Sequence, residues 1–112
     1  MIIEAIKIVI NQGGNTPIVL EFDTDIESCC DKVSIFLAKA DGSQIDHWSK
    51  SDVEIDGNVL TIPLYEQRTI LYPAGLAYLC VKILDTDGII VFYNDIICSI
   101  ANRHDKTLLT EV

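Results

Sequence analysis

Apolar and polar residues alternate with a period of two along most of this chain, and no convincing helix interrupts the alternation. In residues 2–10, Ile6, Ile8 and Ile10 share one face and Lys7 lies on the other. Residues 17–22 set Ile18, Leu20 and Phe22 against Val19 and Glu21. Residues 32–40 place Val33, Ile35 and Leu37 inward, and Asp41-Gly42 turns the chain back into residues 45–49. A short strand at 53–55 meets the turn Asp56-Gly57-Asn58, and 59–64 follows with Leu60, Ile62 and Leu64 on one face. Residues 76–84 and 89–100 form the last hairpin, around Asp85-Thr86-Asp87-Gly88. Between them, 65–75 is long enough to cross from one sheet to another, with room for one helical turn at 65–69. Seven to eight short strands with turn signals every 8–12 residues predict an all-β, antiparallel immunoglobulin-like β-sandwich. The domain is expected to span 1–101, with 102–112 a polar C-terminal tail.

The strand at 76–84 departs from simple alternation. Ala77, Leu79, Val81 and Ile83 make one apolar face, but Leu76, Tyr78, Cys80 and Leu84 surround a single Lys82 on the other. A strand apolar on both sides is central in a sandwich or is covered by a partner. Tyr78, Cys80 and Lys82, with Phe36 and Tyr93 beside them, are therefore the expected interface residues.

Composition narrows the class. A chain of 112 residues with 49% hydrophobic and 22% charged residues supports one core and excludes disorder. Seventeen acidic residues against eight basic ones leave a net charge of −9. That balance argues against nucleic acid and against an anionic membrane surface. Residues 1–10 are apolar but carry Glu4 and Lys7, which does not read as a secretory signal peptide. Cys29, Cys30, Cys80 and Cys98 match neither a Cys-x-x-Cys motif nor a zinc ribbon. They are read as reduced thiols in a cytoplasmic setting.

Candidate chemistry is sparse. Asp23, Asp25 and Glu27 alternate like calcium ligands but lack the central Gly and distal Glu of an EF-hand, so a solvated loop is the plainer account. Cys29 or Cys30 would need to meet His47 in space to form a nucleophilic pair. There is no Gly-x-Ser-x-Gly, phosphate-binding glycine loop or His-Glu-x-x-His. No catalytic residue, metal or cofactor is assigned, and no enzyme is expected. Trp48, Tyr65 and Tyr72 offer a possible ligand platform for sugars, although aromatics also fill ordinary cores.

One resemblance adds to this reading. The strand 59–62, the segment Thr69-Ile70-Leu71-Tyr72-Pro73-Ala74-Gly75, the long strand 78–84 and the turn Asp85-Thr86-Asp87-Gly88 follow each other in a fixed order. That order resembles the N-terminal immunoglobulin-like domain of phage baseplate upper proteins and related tail modules. The resemblance covers roughly 17–100 and rests on turns and apolar positions. It implies a structural or adaptor component of a phage tail or baseplate, with self-association and other tail or baseplate proteins as partners. Host cytoplasm during assembly and then the virion would be its location. The alternative is a carbohydrate- or cell-surface-binding β-sandwich module, and a calcium-dependent adhesion domain using 23–27 is a third reading.

Overall fold

In the computed structural model, which describes residues 8–102, eight strands build two sheets that face each other. The strands are β1 (Ile8–Asn11), β2 (Ile18–Glu21), β3 (Lys32–Lys39), β4 (Gln44–Ser49), β5 (Glu54–Asp56), β6 (Val59–Ile62), β7 (Gly75–Leu84) and β8 (Ile90–Ala101). The five-stranded sheet runs β1-β8-β7-β3-β4 and the three-stranded sheet β2-β6-β5. The β-sandwich expected from the alternation is present, and its strands start and stop within a residue or two of the turn signals. Ile6 and almost all of the tail, including His104, lie outside the described residues.

One pairing differs from a wholly antiparallel sandwich. β1 runs parallel to β8, with Ile8 beside Cys98 and Ile10 beside Ile100. A parallel pair needs a long crossover, and here the rest of the domain supplies it. The other pairs are antiparallel, with β7 central between β8 and β3. At the β3–β4 hairpin Gly42 holds φ at +89°, a left-handed conformation that glycine adopts without strain. The Asp41 carboxylate accepts from the Ser43 N–H at 2.8 Å and closes that turn.

Side-chain parity then makes the core. Val33, Ile35 and Leu37 of β3 and Ala77, Leu79, Val81 and Ile83 of β7 are buried against Leu20, Leu60 and Ile62 of the smaller sheet. Phe22 packs edge-on to Phe92, ring centres 5.1 Å apart. Each large apolar side chain so buried contributes about 1.5–3 kcal/mol. The acidic stretch 23–31 is anchored by Ile26, which is fully buried and donates its N–H to the Gly57 carbonyl at 2.9 Å.

The crossing segment contains the helical turn α1 (Glu66–Thr69). A polar cluster ties it to β4. Asp46, nearly buried, accepts from the Arg68 guanidinium on one carboxylate oxygen and from the Tyr72 hydroxyl on the other. Arg68 also lies over the Trp48 ring, 5.7 Å from its centre. Gln12 donates to the Tyr72 carbonyl at 2.6 Å and Thr69 to the Gly14 carbonyl at 2.8 Å, fastening the β1–β2 connection to the same segment. No local motif marks this cluster, because Arg68 and Tyr72 lie 22 and 26 residues from Asp46.

Candidate functional site on the five-stranded sheet

The strand pairings fix which residues share the outer face of the larger sheet. Tyr93, Lys82, Ser34 and Ser49 lie across it in one row, and Asp95, Cys80, Phe36 and His47 in the next. Ile97, Tyr78 and Ala38 form a third row, and Leu84 and Lys32 flank the first on its other side. The five expected interface residues, Phe36, Tyr78, Cys80, Lys82 and Tyr93, are thus brought to one face. Tyr78 is half-buried there and points away from the core.

Within this face is an open groove of about 360 Å³. Lys32, Ser34 and Phe36 of β3 line it with Cys80, Lys82 and Leu84 of β7 and Tyr93 of β8. Tyr93 is 65% exposed and Phe36 40%, large values for aromatic rings on a sheet. Phe36 is tilted against His47, ring centres 6.3 Å apart. Burial, with the neighbouring Asp95 carboxylate, pushes the Cys80 thiol up to about 11. Cys80 is therefore a neutral lining group near neutral pH and a poor nucleophile.

The groove also takes in Leu84, expected on this face of β7, and Lys32 and Ser34, for which the sequence offered no signal beyond their parity. Parity alone put Lys32 and Ser34 on the Phe36 side of β3. Only the β3–β7 register shows that they meet Lys82 and Leu84.

The platform expected from Trp48, Tyr65 and Tyr72 is not assembled. Trp48 is 2% exposed because it opposes Ile35 on the inward face of β4. Tyr72 is 5% exposed, its hydroxyl held by Asp46, and burial raises its phenol to about 12. Tyr65 alone is open to solvent, at the start of α1. Neither Cys29 nor Cys30 gains His47 as a partner: Cys30 is buried where the Lys50 ammonium donates to its carbonyl at 2.8 Å, and His47 faces Gln44. In the 23–27 loop, Asp25 accepts from the Glu27 N–H and Glu27 from the Gly57 N–H, at 2.9 and 3.0 Å. Among the described residues no three His, Cys, Asp or Glu side chains converge as a metal set.

No family model and no curated protein matches this sequence. Solved structures do share its fold. CopC from Methylosinus trichosporium OB3b superposes with a TM-score of 0.54 at 16% identity, covering 84% of this chain and 82% of that one. A lytic polysaccharide monooxygenase from Jonesia denitrificans superposes with a TM-score of 0.53 at 13% identity, covering 85% of this chain but 58% of its own. The likeness is one of fold.

It corrects the phage-tail expectation. The similar structures just named, CopC and a polysaccharide monooxygenase, are not baseplate or tail modules, and they contradict the expectation of a virion component. The reason is physical. Tight turns at Asp-Gly, alternating apolar positions and a Pro-Ala-Gly corner are what any small sandwich needs, so their order does not single out one family.

Proposed function

We propose that this chain is a non-catalytic binding module that holds a saccharide in the groove on the outer face of the five-stranded sheet. The observation that carries the reading is the groove itself, with two exposed rings, Tyr93 and Phe36, beside Lys82, Lys32 and Ser34. Sugar rings offer apolar C–H faces to aromatic side chains and hydroxyls to ammonium and hydroxyl groups, so this mixture suits them. A fold neighbour whose name includes a polysaccharide is consistent with it. The test is a glycan array followed by titration calorimetry on any hit. Tyr93→Ala should weaken binding roughly tenfold, the ~1.4 kcal/mol of one anchoring aromatic. An array without hits, or a hit indifferent to Tyr93→Ala and Phe36→Ala, refutes the proposal.

A second reading has its own support. Leu76, Ile97 and Val9 are each at least half exposed at the other end of the same face. An apolar surface of this kind suits contact with a second copy of the chain. Sedimentation at tens of micromolar tests it: a dimer abolished by Tyr78→Asp supports self-association, and a monomeric wild type removes it.

A further inference from the structure

We infer that the saccharide taken by the groove is anionic, carrying carboxylate or sulfate groups; this rests on the saccharide reading of that groove. The charge pattern of the two sheets points there. On the outer face of the three-stranded sheet the outward charges are Glu21, Glu54 and Asp56, all acidic. On the outer face of the five-stranded sheet they are Lys32, Lys82 and one acid, Asp95, which does not line the groove. A chain of net charge −9 thus places two cations and no acid in its aromatic groove.

The strand register brings the two lysines together. Lys82 pairs with Ser34, so Lys32, two residues before Ser34, is its diagonal neighbour on the same face. Diagonal neighbours stand about 7–8 Å apart at the backbone, within reach of long side chains. Neither lysine forms an ion pair with a described residue. Two like charges side by side repel each other, and an anion between them removes that repulsion while gaining two charge-assisted hydrogen bonds. Tyr93 opposes Lys82 on one side and Phe36 follows Ser34 on the other, so rings flank the cations. A sugar ring resting on Tyr93 would carry its acid group to Lys82. The acidic remainder of the molecule repels polyanions that lack such a fit, which favours a sugar acid over a bare polyanion.

Cys80 gives a readout inside the groove, being next to Lys82 on the same face and opposite Phe36. Alkylation of Cys80 by excess neutral iodoacetamide at pH 8.5, slow because its thiol is held protonated, is followed over hours by peptide mass spectrometry, with half-exposed Cys29, outside the groove, as internal control. The competitors are oligogalacturonate, dextran sulfate, neutral dextran and polyglutamate. The inference expects both anionic glycans, or one of them, to slow Cys80 labelling without affecting Cys29. It expects dextran and polyglutamate to have little effect, and Lys32→Gln/Lys82→Gln to weaken the protection at least tenfold. Protection by dextran equal to that by the anionic glycans, or unchanged by the double variant, overturns the charge assignment and leaves the saccharide reading standing. Protection by polyglutamate as strong as by any sugar, or no protection by any glycan, overturns both.

Discussion

Replacing Arg68 by Met tests whether the crossing segment is held to β4 by charge. The substitution keeps much of the aliphatic stem but removes the cation that Asp46 faces and that lies over Trp48. Asp46 is then a nearly buried carboxylate with the Tyr72 hydroxyl still donating to it. Breaking one half of a fully buried pair costs about 3–5 kcal/mol. The Arg68 side chain is 42% exposed, so water screens the pair and the lower end is discounted to ~2 kcal/mol. Losing the cation above the indole adds about 0.5–1 kcal/mol. A total of ~2–3 kcal/mol in a domain of this size lowers the melting temperature by roughly 10–20 °C. Circular dichroism melts and urea titration measure it. The triple variant Arg68→Met/Asp46→Leu/Tyr72→Phe removes all the polar partners together and should recover most of the loss, because an apolar replacement leaves no buried charge stranded. If Arg68→Met melts within about 2 °C of wild type, or the triple variant is worse than the single, the cluster is not what anchors the segment.

Other outcomes follow from the same geometry. Burial raises the Tyr72 phenol to about 12 and the Cys98 thiol to about 11, above their ordinary values of 10.0 and 9.0. A raised folded value means the folded state holds its proton longer, so this stability is complete below about pH 9 and is lost as pH rises through 11 and 12. Melting temperatures should therefore fall from pH 9 to 12, and Tyr72→Phe should flatten the upper part of that fall; parallel curves for both proteins would contradict it. Leu79→Ala, at a fully buried position on central β7, should cost about 2–5 kcal/mol by urea denaturation, and a loss below 1 kcal/mol would mean the site collapses freely. Gly42→Ala meets nothing within 4 Å, so its cost is conformational alone, about 1 kcal/mol from the left-handed backbone. An unchanged melting temperature for that variant would show that the hairpin relaxes to another turn.

Much of the fold was readable in the chain because a strand's two faces are separated by a period of two, a purely local property. Alternation identified Ala77, Leu79, Val81 and Ile83 as core and left Tyr78, Cys80 and Lys82 outside, and burial follows that division. Turn residues located the hairpins because Gly42 and Gly88 carry backbone angles that other residues rarely adopt. Locality also limited the reading. Trp48 looked like a platform residue because nothing local says which face of a six-residue strand turns inward; pairing with Ile35 decided it. The Asp46–Arg68–Tyr72 cluster and the Lys32–Lys82 juxtaposition depend on register between segments 22 to 50 residues apart, which leaves no periodic mark in the chain. The amino-acid sequence by itself determined most of the strands and the inward faces of β2, β3, β6 and β7. Only the tertiary structure decided which outward residues become neighbours, because register is set by how the whole sandwich closes its core.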